Sequence, residues 1–138
     1  MTNRLVKALQ EKHVLIGMQV FSGSPTFVEI LGLAGFDWVS IDMEHSPITF
    51  ETVLQMTRTA DAAGIIPLVR VAENNPKEIL HALDAGPAGI IVPHVNTADE
   101  ARAVVDAAKF SPIGHRGRYT SRQGYGVADY LSRANDET

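Results

Sequence analysis

Asp42, Glu44 and His45 stand within four residues of one another, at the end of an apolar, β-rich run, Trp38–Asp42. Two carboxylates beside an imidazole supply what proton transfer near neutral pH requires: a ring able to take a proton and an acid to orient it. His45 is therefore a candidate general base, and Asp42, Glu44 and Asp84 are the candidates for holding its ring. The competing reading is a solvated loop histidine. Arg70 lies in a second apolar run, Pro67-Leu68-Val69-Arg70-Val71. A guanidinium there offers a planar fork suited to a substrate carboxylate and to a developing enolate oxygen. A buried ion pair with Asp42 is the structural alternative, and the two roles are compatible. His94, after Pro93, reads as a second polar wall or as a packed residue, with packing favoured. Asp84 falls at a helix C-terminus, where the dipole disfavours an anion. Arg116, in Gly114-His115-Arg116-Gly117, could bind an anion, although Arg–Gly pairs are common in ordinary turns.

These residues need strands that end near one another, and the sequence supplies them. An apolar run, a polar turn and a segment of 3.6-residue period recur about every 25 residues. The runs are 14–21, 38–42, 65–71 and 89–93, nearly continuous in apolar residues and so suited to strands covered on both faces. Pro25 opens one helix, with Phe27, Ile30, Leu31 and Ala34 inward. A second begins near Ser46-Pro47, with Phe50, Val53, Leu54, Thr57 and Ala60 on its stripe. Asn75-Pro76 caps a third, whose inward residues are Ile79, Leu80 and Leu83. Thr97 and Glu100 form a capping box for a fourth that buries Ala101, Val104, Val105 and Ala108. A helix over 5–10 precedes the first strand, and a short one follows Val127. Such alternation means right-handed βαβ units and a parallel sheet, whose active sites form at the carboxyl ends of the strands. Residues 111–126, rich in Gly and Arg, read as a long loop.

Several function classes fall away. With a formal net charge of −4 and interspersed signs, there is no basic stripe for nucleic acid or a membrane surface. No apolar run approaches the roughly 20 residues that span a bilayer, and the first residues do not resemble a secretory signal, which points to the cytoplasm. Cysteine is absent, so thiolate chemistry is excluded. The four lysines, Lys7, Lys12, Lys77 and Lys109, all fall on expected helices, which disfavours a Schiff base at a strand end.

Taken together, Ile41-Asp42-Met43-Glu44-His45-Ser46-Pro47, Pro67-Leu68-Val69-Arg70-Val71, Leu83-Asp84-Ala85-Gly86-Pro87-Ala88-Gly89, Val92-Pro93-His94 and Gly114-His115-Arg116-Gly117 resemble the HpcH/HpaI aldolase family of metal-dependent pyruvate aldolases. The resemblance covers nearly the whole chain and implies the first half of a (β/α)8 TIM barrel, with 1–138 a single partial domain of about four βα units. It implies reversible cleavage of a 4-hydroxy-2-oxo acid to pyruvate and an aldehyde, with His45 as base or proton relay supported by Asp84 or Asp42. Arg70 would bind the 2-oxo acid and stabilise its enolate, Glu44 would help bind substrate, and Arg116 and Arg122 would shape a loop near the mouth or a subunit contact. A divalent ion (Mg2+, Mn2+ or Co2+) and a homo-oligomer, a hexamer by analogy, are implied as well. No metal ligand is expected within this chain, because the family's ligands lie on later strands. The resemblance thus casts the chain as a piece of a longer enzyme, weakly active or inactive by itself. A citrate-lyase-type enzyme acting on CoA thioesters, or a non-catalytic barrel fragment serving as an assembly module, are the alternatives.

Overall fold

Strands β1 (Gly17–Val20), β2 (Trp38–Asp42), β3 (Ile66–Arg70) and β4 (Gly89–Ile91) form one parallel sheet in the order β1-β2-β3-β4. This is a computed structural model, and it describes residues 3–11, 14–118 and 122–137. Helices α2 (Pro25–Leu33), α3 (Phe50–Ala63) and α4 (Pro76–Asp84) connect successive strands; α1 (Arg4–Glu11) precedes the sheet, and α5 (Ala98–Ala108) and α6 (Tyr130–Glu137) follow it. Sequential parallel pairing with a helix at every crossover is the topology of half a (β/α)8 barrel.

Alternation along β2 and β3 divides the sheet. Val39, Ile41, Val69 and Val71 are fully buried against Val28 and Leu31 of α2, Val53, Met56 and Ala60 of α3, and Ala82 of α4. Ser40, Asp42, Leu68 and Arg70 have the opposite phase and face the inner side. Burial of each large aliphatic side chain in that layer contributes about 1.5–3 kcal/mol.

Helix boundaries follow the capping chemistry. Asn75 caps α4 by accepting from the Lys77 amide, 2.8 Å. The Thr97–Glu100 box is complete, with Glu100 N donating to Thr97 Oγ1 at 3.2 Å and Thr97 N to Glu100 Oε2 at 2.9 Å. The second expected helix starts later than Ser46-Pro47: Thr49 is the cap and Phe50 the first helical residue. Ser46 is instead spent in the preceding turn, where its hydroxyl donates to Asp42 O and accepts from Ile48 N. The inward faces also differ in part. In α2, Val28 and Leu31 are the buried residues, while Phe27, Ile30 and Ala34 are exposed. No residue of α5 is buried. It packs on α4 with Val104 and Ala108 half-buried, while Ala101 and Val105 are exposed.

At the amino-terminal pole of the strands, α1 is tied down by Arg4, which donates to Asp61 (2.7 Å) and Ile65 O (3.2 Å), and by Asn3, which donates to Ala88 O (2.7 Å). A separate small cluster of Phe110, Tyr130 and Ala134 docks α6. There the Asn135 side chain pairs with both backbone groups of Phe110, at 2.7 and 2.9 Å. Among the described residues no helix is long and apolar enough to cross a membrane.

Candidate active site

In the sheet register Asp42 pairs directly with Arg70, both at the carboxyl ends of their strands. Asp42 is completely buried. An ionised carboxylate there is tolerated only if donors replace its water. It has four: the Arg70 Nη2 and Gln19 Nε2 groups, and the backbone amides of Glu44 (2.8 Å) and His45 (3.1 Å). Burial pushes its pKa up. The Arg70 hydrogen bond, aided by the His45 amide, Gln19 and the Glu44 amide, outweighs burial and holds the carboxyl below its usual range. The same bond raises the pKa of Arg70 against the opposing effect of burial. Asp42 is therefore a fixed anion.

Its two amide contacts also shape the loop. A carboxylate that captures the amides two and three residues on makes a local turn, and this turn presents Glu44 and His45 above the end of β3. Glu44, whose side chain is only 10% exposed, then becomes the hub: its Oε2 is 3.1 Å from Arg70 Nη1, and its Oε1 is 3.0 Å from His94 Nε2 and 3.7 Å from His45 Nε2. The His45 ring is 64% exposed, open to an incoming molecule. Arg70 is thus gripped from two sides by carboxylates, and the imidazole of His45 shares one of them. The guanidinium and the imidazole meet at one pole, through Glu44.

Other anticipated residues lie elsewhere. Asp84, at the C-terminal end of α4, accepts from Arg116 Nη2 at 2.9 Å; it makes no described contact with His45. The Arg116 guanidinium is buried, with its Cζ 4.6 Å from the centre of the Phe110 ring. Arg122 donates to Asp61, to Ala85 O (3.0 Å) and to Gly86 O (3.1 Å). These partners end α3 and α4, where the chain turns back toward the amino ends of the strands, so neither arginine sits at the mouth. Within this chain both fasten residues 111–126 to the body, with 119–121 outside the described residues. A buried guanidinium needs a counter-anion, which accounts for Asp84 at an otherwise unfavourable helix end.

One member of the site was not anticipated. Gln19 shares the inner phase of β1 and pairs in register with Ser40; its signal was an amide interrupting an apolar run. Of the two readings for His94, packing does not hold: the ring is 74% exposed, with Nε2 3.0 Å from Glu44 Oε1. As for a cation, the oxygens of Asp42 and Glu44 are already engaged, and among the described residues no group of three or more His, Asp or Glu side chains is arranged to hold a metal ion. These residues do not form a binding set for the implied divalent ion.

A profile of the HpcH/HpaI aldolase/citrate lyase family matches residues 15–138. The chain belongs to this family. It is 39% identical to the 2-dehydro-3,6-dideoxy-6-sulfogluconate aldolase of Pseudomonas putida, over 93% of this chain and 51% of that protein. It superposes with a TM-score of 0.90 on an HpcH/HpaI aldolase/citrate lyase family protein from Burkholderia cenocepacia J2315, at 35% identity over 99% of this chain and 57% of the other. A second similar structure is the citrate synthase SbnG, with a TM-score of 0.85 and 32% identity over 96% of this chain and 52% of that one. The chain spans about half the length of the curated relatives it matches.

Proposed function

We propose that this chain supplies the acid–base and enolate-binding part of an aldolase that cleaves 4-hydroxy-2-oxo acids to pyruvate and an aldehyde. The observation that carries this reading is Arg70, held between the Asp42 and Glu44 carboxylates at the strand ends with His45 on the same hub. His45, directly or through water, takes the proton of the C4 hydroxyl. The C3–C4 bond breaks, the C4 oxygen becomes the aldehyde carbonyl, and the electron pair moves into C2–C3 while charge gathers on the 2-oxo oxygen. Arg70, already oriented by its carboxylates, stabilises that oxygen with little reorganisation. Protonation at C3 then gives pyruvate. Where the full enzyme carries the divalent ion implied by the family resemblance, that ion would supply Lewis-acid polarisation.

The test is pyruvate release from 4-hydroxy-2-oxo acids by the enzyme that carries this chain, with and without a chelator. Arg70→Ala is expected to lower kcat/KM by about 10²–10³-fold, the range for loss of one oxyanion donor. Unchanged turnover in that variant would remove the basis of the proposal. The likeness to a citrate synthase favours a second reading, carbon–carbon chemistry on a citrate-type substrate. Parallel assays for citrate formation and acyl-CoA cleavage separate the two.

A further inference from the structure

We infer that His94 is a positioning residue for Arg70, acting through Glu44. The inference rests on the aldolase reading above. Three observations converge on it. First, His94 has φ +57°, a left-handed backbone that side chains other than glycine seldom adopt, directly after β4 and Pro93. Such a conformation persists where surrounding contacts hold it, and here Asn96 Nδ2 donates to the His94 carbonyl at 3.0 Å. Second, the ring is not there to be buried. It is 74% exposed, so apolar packing does not explain its place, whereas its Nε2 stands 3.0 Å from Glu44 Oε1. Third, Glu44 comes from a loop, and its two oxygens face different ways: one to His94 and His45, the other to Arg70 Nη1 at 3.1 Å.

The consequence is mechanical. Glu44 bridges from the end of β2 to a residue of β3 and another beyond β4, and His94 fixes its far oxygen. With His94 shortened, the carboxylate can rotate about its terminal torsion, and Arg70 Nη1 loses a fixed counter-charge. Arg70 then pivots on Asp42 alone. The guanidinium remains bound, but its alignment with a developing enolate oxygen loosens. The effect belongs to the reacting state rather than to ground-state binding, because the charge that Arg70 faces grows as the enolate forms.

Pyruvate is a sufficient probe, with no aldehyde needed. In D2O, a base takes a methyl proton, the electron pair enters C2–C3, the 2-oxo oxygen takes the charge, and a deuteron returns to C3. Exchange is followed by proton NMR in the enzyme that carries this chain, supplied with a divalent cation. His94→Asn tolerates the left-handed backbone but is too short to reach Glu44; His94→Gln places an amide nitrogen near the Nε2 position. The expected result is an exchange kcat lower by on the order of tenfold in His94→Asn, less than the loss from removing a direct oxyanion donor. KM should change by less than about twofold, the melting temperature should hold, and His94→Gln should recover most of the rate. Wild-type exchange in His94→Asn, a defect that His94→Gln leaves unrepaired, or a defect that tracks a lower melting temperature would each overturn the inference. Arg70→Ala separates the two levels of claim. If it exchanges normally, or if the wild type does not exchange at all, the aldolase reading and this inference fall together. If Arg70→Ala is dead and His94→Asn is normal, only the role of His94 is lost.

Discussion

Asp42 shows how one side chain can set both a loop and a charge. Its four donors make it an obligate anion, so Asp42→Asn leaves Arg70 without its inner counter-charge and is expected to cost about 2–4 kcal/mol at neutral pH. The sign with pH follows from its lowered pKa. As pH falls, the unfolded chain takes up the proton first, near its ordinary value of about 3.9. The stabilisation is therefore complete above about pH 4 and is lost as pH falls through the lower folded value. Denaturant melts at pH 7, 5 and 3 should show the gap between wild type and Asp42→Asn narrowing only at the lowest pH; a gap unchanged at pH 3 contradicts the assignment. Asp42 and Arg70 were legible in the sequence, since a charge set in an apolar run demands a reason. His94 was legible only in part: its place after Pro93 marks a polar group at a strand end, but nothing in the sequence marks the left-handed backbone or the contact with Glu44.

Among the elements, α2 and α3 make the closest helix contact that the sequence did not foretell. A Cβ on Gly32 would lie 2.7 Å from the Ala63 Cβ and 2.9 Å from its carbonyl oxygen. Gly32→Ala should gain up to about 1 kcal/mol of helix propensity yet lose about 1–3 kcal/mol to the forced separation of the helices. A net fall in melting temperature is expected, and a more stable variant would mean that the two helices part without cost. The existence of these helices was written in Pro25, Asn75-Pro76 and the Thr97–Glu100 box, because caps are local chemistry. The rotation of α2 about its axis was not. Phe27, Val28, Ile30, Leu31 and Leu33 are apolar almost all round, so the pattern does not single out Val28 and Leu31 as the buried pair.

For the whole molecule, the sheet has an unpaired edge at β1 and another at β4 among the described residues. Apolar side chains lie near both: Ile16 at 63% exposure and Met18 on one side, Ile91 and Val95 on the other. On the helical side, Leu33 is 80% and Val105 50% exposed. Unpaired strand edges flanked by apolar surface promote association. The 138-residue chain prepared alone is thus expected to self-associate with rising concentration in sedimentation velocity, and a single monomeric species throughout the micromolar range would contradict this. The parallel order was legible from the strand–helix repeat. The partial exposure of α5 was not, because an apolar stripe shows which face turns inward and not how much of it is covered.

The Asp42–Arg70 pair, described above for what it presents to a substrate, also acts as a ruler. Sliding β2 by one residue against β3 would bring Ile41 or Met43 opposite Arg70 and swing the carboxylate toward the aliphatic layer beneath the helices. A one-residue slip would bury the Asp42 carboxylate away from Arg70, a penalty of several kcal/mol for an unpaired buried charge. Parallel strands this rich in Val and Ile would otherwise have little to tell one alignment from the next, and here a single buried charge pair counts the residues.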